Sequence, residues 1–493
     1  MNTDDFMSLL RDPLRAGSLA VQGASGSLDY PGLMERVDAC AGRLAAQGAR
    51  VFASVLDNGA DWIVHDLACL QGRVVHVPLP LFFTPAQWCG AIEAAGVNVV
   101  AGLASMLPML RPAGFELVDV SPGMPALFRR PDPDLPLPAG TSKITFTSGS
   151  TGAPKGVCLG AREMLAVARG LASVTSPLGI RRHFTALPLA VLLENIAGMY
   201  APLMEGATMV THPLAETGLQ GSSRFDPGKF SAALSGSQAQ SAIVLPQMLR
   251  AYSSWLRATG GHAPDSLRLM AVGGAAVGNE LLADARALGL PVYEGYGLSE
   301  GCSVQTLNLP GADCPGSAGR PLPHARLRIA ADGEIEIAGS LALGYLGQQP
   351  ARERWLPTGD LGSVDDRGFL HVQGRKKNLL ITGFGRNVSP EWIELRLASQ
   401  PAIAHTVVLG EGQGELGAVI WPQPGASEAA IRAAIDQANR ALPDYARIGP
   451  WMRARADFTV TSGLATANGR PRRAAVAAMH ADLFPRNCAQ PTP

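Results

Sequence analysis

Helical and strand-like spacing of apolar residues alternate along most of the chain. Residues 33–46, "LMERVDACAGRLAA", carry apolar positions three and four apart, the spacing of one helix face. Residues 51–56 and 73–77 are short β-branched runs and predict strands. A helix at 86–95 and a strand at 97–101 follow, and two further strand–helix units are expected through 242–245 and 267–272. Such alternation predicts an α/β fold with largely parallel sheets. The proline-rich stretch 121–139 predicts a surface connection. Near residue 320 the texture changes. "RLRIAADGEIEIAG" predicts an antiparallel hairpin turning at Asp332-Gly333, and "GSVDDRGFLHVQGRKKNLLI" repeats that style. From about residue 377 a small α+β unit is expected, with a helix at 391–399 and strands at 404–409 and 418–421. No internal repeat stands out.

Composition narrows the function classes. The 493 residues suggest about two to four structural units, and 47% hydrophobic with 17% charged residues describes a folded chain with large cores. The 41 basic and 41 acidic residues cancel, which gives no electrostatic case for nucleic acid or an anionic membrane. No apolar run approaches the ~18 residues of a spanning helix. The N-terminal "MNTDDFMSLLRDPLRAG" has acids where a secretion signal carries bases. The seven cysteines are scattered without a C-x-x-C pair, and the nine histidines without an H-x-x-x-H pair on a plausible helix. The expectation is a reducing cytoplasm, no disulfide framework, and no cysteine or histidine metal site.

The densest candidate chemistry is "TFTSGSTGAPKG" at 145–156. Gly149, Gly152 and Gly156 let the backbone approach a ligand, and consecutive N–H groups form a nest for phosphate oxygens. Thr147, Ser148, Ser150 and Thr151 offer hydroxyl donors, and Lys155 adds a mobile charge. The preceding 143–147 alternates polar and apolar, a strand feeding the loop. The G-x-x-x-x-G-K-[ST] pattern does not fit: counting from Gly149, Pro154 falls where the second glycine belongs, and Gly156 follows Lys155. The loop is of another phosphate-binding kind, with an ordinary Ser/Gly turn as the alternative.

Further motifs follow in a fixed order: "YEGYGLSE" at 293–300, "GEIEIAG" with Gly344-Tyr345, "TGD" at 358–360, "GRKKNLLITGFGRNVSPEWIE" at 374–394, "LPDYA" at 442–446 and "TANGRPRR" at 466–473. Together with the first loop, this series resembles the adenylate-forming superfamily of acyl-CoA synthetases, luciferases and peptide-synthetase adenylation domains. The wording is most similar to long-chain acyl-CoA synthetase-like members. The resemblance covers nearly the whole chain. It implies a large N-terminal domain, 1–376, of βα units with parallel-rich sheets plus a β-rich part, and a small mobile α+β C-terminal domain, 377–493.

It also implies a reaction. A carboxylic acid attacks the α-phosphate of ATP, giving acyl-AMP and pyrophosphate, and a thiol of coenzyme A or carrier-protein phosphopantetheine then displaces AMP. By this resemblance Thr147, Ser148, Gly149, Ser150, Thr151, Gly152 and Lys155 cradle phosphates, and Glu300 with Thr151 ligates Mg2+. Tyr296 lies against adenine within the Glu294, Gly295, Gly297 signature, with Gly274 and Ala275 on the other side. Ser299 reaches the α-phosphate, Asp360 takes the ribose hydroxyls, and Arg375 braces them. Lys377 is the hinge, and Phe384-Gly385 face the acceptor.

This sequence departs from the family pattern at three places. Phe384 replaces the first of two glycines. Val191 and Leu192 stand where a histidine or aromatic is frequent. Arg470 stands where the family carries its catalytic lysine. No acid is placed to meet an amino acid's ammonium, so an apolar fatty or aryl acid is expected. Two alternatives stay open: transfer of the acyl group to an amine, and a nucleotide- or acyl-binding protein with weak adenylation, since fold alone does not fix function.

Overall fold

The structure is a computed structural model, and it describes residues 1–24, 26–147, 155–221, 224–348, 355–382, 386–459, 461–466 and 470–484. Two large mixed sheets dominate the first three quarters of the chain. The nine-stranded sheet runs parallel through its centre. Ser241–Val244 pairs with Leu269–Val272, which pairs with Val292–Leu298. The eight-stranded sheet is parallel through Val51–Ser54, Val75–Pro78 and Val99–Gly102, and antiparallel at its edges. Parallel strands covered on both sides are apolar throughout rather than alternating. Val51–Ser54 and Val75–Pro78 are buried at every position.

Helices fill the layers around the sheets. Tyr30–Ala46 buries Leu33, Met34, Val37, Cys40 and Leu44, the stripe that its spacing predicts, and Asp29 caps it through the Gly32 N–H at 2.8 Å. Ala60–Gly72 is buried almost all round.

One expectation needs correcting. The 121–139 stretch is not only a connection, because Ala126–Arg129 forms a strand between Val99–Gly102 and Glu116–Asp119. Pro125 and Pro131 bracket an apolar segment whose Leu127 and Phe128 are fully buried, and burial outweighs the flanking turn signals.

The hairpins past residue 320 form as the sequence suggests. Ala325–Ile329 pairs antiparallel with Glu334–Gly339 around Gly333 at φ +84, and Leu356–Val364 with Leu370–Arg375 completes a four-stranded antiparallel sheet. Beyond it, the strands Ile403–Leu409, Leu416–Pro422 and Ile448–Arg453 form a separate three-stranded sheet packed by the helices Pro390–Ala398 and Glu428–Arg440. Among the described residues no helix is long and apolar enough to cross a membrane.

Candidate active site

The site gathers at the carboxyl ends of the parallel strands, where open α/β sheets place their ligands. Thr141–Thr147 and Lys155–Gly160 pair antiparallel with Thr147 opposite Lys155. The two strands thus close the glycine-rich loop at its base. Ser148, Gly149, Ser150, Thr151 and Gly152 lie outside the described residues, as do Phe384 and Gly385. The Lys155 ammonium sits 5.8 Å from the centre of the Tyr345 ring.

Tyr345 is the residue whose role the sequence did not disclose, although the Gly344-Tyr345 pair was visible. Its short strand pairs with Lys155–Gly160, Tyr345 opposite Val157. From there its hydroxyl donates to Glu300 Oε1 at 2.6 Å. Burial first, and then the Glu300 carboxylate, push the Tyr345 phenol up, which keeps it protonated as that donor.

Glu300 and Ser299 occupy a tight 3-10 turn, Ser299–Gly301, at the end of Val292–Leu298. The chain reverses there through Cys302 at φ 58 and Ser303 at φ 112, conformations rare without glycine. Gly297 permits the reversal: a Cβ on it would lie 2.2 Å from the Ser303 carbonyl oxygen. Across the sheet, Gly274 turns at φ +81, and Ala275 is exposed beside it. Gly295 lies on the same strand as Glu294. Burial pushes the Glu294 carboxyl up to about 7, against the Val277 N–H that donates to Oε1 at 3.2 Å.

Asp360 is placed by register. Antiparallel pairing sets it directly opposite Arg375, whose Nε lies 2.9 Å from Asp360 Oδ1. Tyr296 donates its hydroxyl to Asp360 Oδ2 at 2.7 Å, and Arg375 also donates to the Thr358 carbonyl at 3.1 Å. Burial raises the Asp360 carboxyl, while Arg375, the Tyr296 hydroxyl and Arg470 pull the other way. Both oxygens already have protein partners, and each keeps a further lone pair for a ligand.

Arg470 settles into the same cleft. Its side chain donates to the Gly274 carbonyl at 2.8 Å, and the Thr466 N–H bonds the Arg470 carbonyl at 2.8 Å. Arg470 is open to solvent, yet protein surrounds it on most sides, as expected of a side chain projecting into a cleft. That crowding, and then the Arg375 charge, lower its pKa, while Asp360 and Glu300 support its cation. Its neighbours point elsewhere. Arg473 pairs with Glu394 at 2.5 Å, and Arg472 reaches the Gly463 carbonyl at 3.4 Å. Lys377 follows in the 3-10 turn Lys376–Asn378. Burial first, then Arg375, Arg470 and Lys155, lower its ammonium. Lys376, by contrast, is tied back to Asp332 at 2.6 Å and Glu334 at 2.7 Å.

Four cations, Lys155, Arg375, Lys377 and Arg470, therefore lie within electrostatic reach of the carboxylates Asp360 and Glu300, with Arg375 paired to Asp360 and Lys155 over the Tyr345 ring that bonds Glu300. So dense a cation cluster is suited to a polyanion. Elsewhere among the described residues, one trio of metal-ligating types, Cys314, Asp365 and His371, comes within 4.8 Å, but Arg367 donates to the Cys314 sulfur at 2.9 Å and brings positive charge to that space.

Fold and cleft together define an adenylate-forming architecture, and the comparisons agree. Residues 14–346 match the AMP-binding enzyme family, and residues 377–484 match the AMP-binding enzyme C-terminal domain. The chain belongs to the AMP-binding enzyme family. It is similar to the long-chain-fatty-acid–CoA ligase FadD15 of Mycobacterium tuberculosis, 34% identical over 260 residues, 46% of this chain and 42% of that protein. It is similar as well to the 2-succinylbenzoate–CoA ligase of Bacillus subtilis, 32% identical over 301 residues, 57% of this chain and 58% of that protein. The matched stretches thus span about half the length of these curated relatives. Among solved structures, the anthranilate CoA ligase AuaEII in complex with anthranoyl-AMP shares the fold with a TM-score of 0.81 at 20% identity, over 97% of this chain and 98% of that one. The o-succinylbenzoate CoA synthetase MenE from Bacillus subtilis, in complex with its acyl-adenylate, gives 0.76 at 22% identity, over 95% and 96%.

Proposed function

We propose that this chain activates an apolar carboxylic acid with ATP, forming acyl-AMP and pyrophosphate, and then passes the acyl group to a thiol. The observation that carries the reading is the gathering of cations around Asp360 and Glu300: Arg375 pairs with Asp360, Lys155 sits over the Tyr345 ring that bonds Glu300, and Arg470 reaches the nearby Gly274 carbonyl. A carboxylate and a triphosphate repel one another, so the protein must neutralise both and hold them in line. Arg470 is suited to that work, because its planar fork bridges a carboxylate oxygen and a phosphate oxygen at once and stays charged.

The remaining roles are those that the family resemblance implies. Asp360 takes the ribose hydroxyls through its free lone pairs, with Arg375 holding the carboxylate in place. Tyr296 stacks on adenine beside Gly274 and Ala275, within the Glu294, Gly295 and Gly297 strand. Ser299 reaches the α-phosphate. Glu300 fits a hard cation, since Tyr345 fixes Oε1 and no protein group bonds Oε2 among the described residues. A Mg2+ ion there, with Thr151 as a second ligand, would supply charge neutralisation on the phosphates. Lys377 is the hinge on which the 377–493 unit turns from the 1–376 unit, and Phe384-Gly385 would then meet the acceptor.

Coenzyme A is the proposed acceptor, as in the names of the ligases it resembles, with carrier-protein phosphopantetheine as the alternative. The proposed setting is the cytoplasm, where free thiols such as Cys40, Cys69 and Cys158 stay reduced. The test is a panel of fatty and aryl acids incubated with ATP and Mg2+, with and without coenzyme A, and read by mass spectrometry. Acyl-AMP without thiol and acyl-CoA with it are expected for a subset of acids. No acyl-AMP from any acid would refute the reading.

A further inference from the structure

A second polar cluster lies away from the cleft, where the strands Val51–Ser54, Val75–Pro78 and Thr141–Thr147, the helix Ala60–Gly72 and the π-helix Glu194–Tyr200 meet. Lys143, Asp66, His76, Asn195, Tyr200 and Ser54 are each 2% exposed or less. Lys143 Nζ donates to Asp66 Oδ1 at 2.7 Å, to Asn195 Oδ1, and toward the Tyr200 hydroxyl at 3.4 Å, so its three protons are placed. Asp66 accepts from His76 Nδ1 at 2.6 Å on the same oxygen. On Oδ2 it accepts from the Tyr200 hydroxyl at 2.6 Å and Asn195 Nδ2 at 3.3 Å. His76 Nε2 then takes the Ser54 hydroxyl at 2.8 Å. One positive and one negative charge balance, and every polar atom of the ion pair is satisfied.

The wide turn makes this geometry. Asn195 and Tyr200 are five residues apart, which in an α-helix of about 3.6 residues per turn would point them roughly 140° from each other. In the π-helix, with its i→i+5 spacing, they fall on nearly the same side and both reach Lys143. A buried ion pair is seldom the most stabilising filling for a core, and apolar residues of similar volume do as well or better. Its value here is in what it ties together.

Lys143 lies four residues before Thr147, where the strand enters the phosphate loop. Asn195 follows the 185–193 segment. That segment is itself clamped: Asn58 donates to the Leu187 carbonyl and accepts from the Leu189 N–H, each at 2.8 Å, and Glu194 Oε2 accepts from the Leu187 N–H at 3.4 Å. We propose that Lys143 is a positioning residue for acid activation: its buried ammonium, held by Asp66, fixes the strand that carries the phosphate loop against the π-helix that follows the clamped 185–193 segment. The inference rests on the acid-activating reading above.

The test separates positioning from stability. Lys143→Met alone strands the Asp66 charge and lowers Tm by several degrees. Adding Asp66→Asn removes that charge, and Tm recovers most of the loss. Ser54→Ala cuts the far end of the network and serves as control. For each protein, acyl-AMP formation is followed by quenched flow alongside the KM for ATP. The expected result is a double variant with near-native Tm and KM for ATP but kcat lower by about 10- to 100-fold, the scale of a misplacement near 1 Å. The Ser54→Ala control should keep kcat within about twofold. If the double variant does not fold, Asn195→Ala with Tyr200→Phe cuts both ties to the π-helix, leaves the Lys143–Asp66 pair in place, and carries the same expectation. A kcat that recovers together with Tm would overturn the inference while leaving the functional reading intact. A wild type that forms no acyl-AMP would overturn the reading, and the inference with it.

Discussion

Asp360 shows how one residue's position follows from register. Opposite Arg375 and capped by the Tyr296 hydroxyl, it is a carboxylate fixed in place before any nucleotide arrives. Replacing it with alanine removes charge-assisted hydrogen bonds worth ~1.5–3 kcal/mol each, so ATP binding by calorimetry should weaken roughly ten- to a hundred-fold. Unchanged affinity would make Asp360 a turn residue only. Arg470 carries the complementary prediction. In single-turnover assays Arg470→Lys should form acyl-AMP at least as well as wild type. Arg470→Ala should lose about two orders of magnitude or more, the scale of one positioned transition-state donor. Glu294 makes a prediction about pH. The folded carboxyl keeps its proton up to about 7, while an unfolded one ionises near 4.5. Between those values the folded state binds more protons, so stability falls as pH rises. Glu294→Gln removes this loss, and its Tm should gain on wild type between pH 5 and pH 8. A constant gap between the two proteins would contradict the buried, protonated carboxyl.

At the scale of elements, the turn after Val292–Leu298 and the short strand at Gly344–Tyr345 cooperate: one presents Glu300, the other anchors it. Tyr345→Phe leaves the ring and removes the anchor. Activity titrated against Mg2+ should then need a severalfold higher concentration for half-maximal rate, with little change in Tm. An unaltered Mg2+ dependence would separate Tyr345 from the metal. Elements of this kind differ in how readable they were. The hairpin at Asp332-Gly333, the helix Pro390–Ala398 and the buried parallel strands follow from spacing and turn chemistry, because those signals are local. The strand Thr141–Thr147 was also legible from its alternation. That Lys143 on its polar side is buried was not, since its partners Asp66 and Asn195 lie 77 and 52 residues away. Asp360 and Arg375 could be chosen from motif order, but their contact is a property of strand pairing. Tyr345's hold on Glu300 likewise exists only once two distant strands meet. Ala126–Arg129 was hidden for the opposite reason, because its prolines gave a strong local signal that burial overrode.

Across the whole molecule, Arg470 reaches back to the Gly274 carbonyl of the large unit. Arg396 with Glu280 at 3.6 Å, and Arg250 with the Ala398 carbonyl, add further contacts between the two units. On the proposed reading this arrangement suits the first half-reaction, and the second would call for the small unit to turn about Lys377. Lys377→Pro restricts the backbone of both Lys377 and Lys376, whereas Lys377→Ala removes only the charge. The proline variant should still form acyl-AMP, at the rate of the alanine variant, yet lose most acyl-CoA output. Equal loss of both steps would argue against a hinge there. Beneath all of these lies the claim that the cleft joins a carboxylate to ATP. The most direct measurement is exchange of labelled pyrophosphate into ATP by the wild-type protein, with and without each acid of the panel. Exchange that depends on the acid is what the cation cluster, Asp360 and Arg470 predict. No exchange with any acid, or exchange indifferent to the acid, would contradict it.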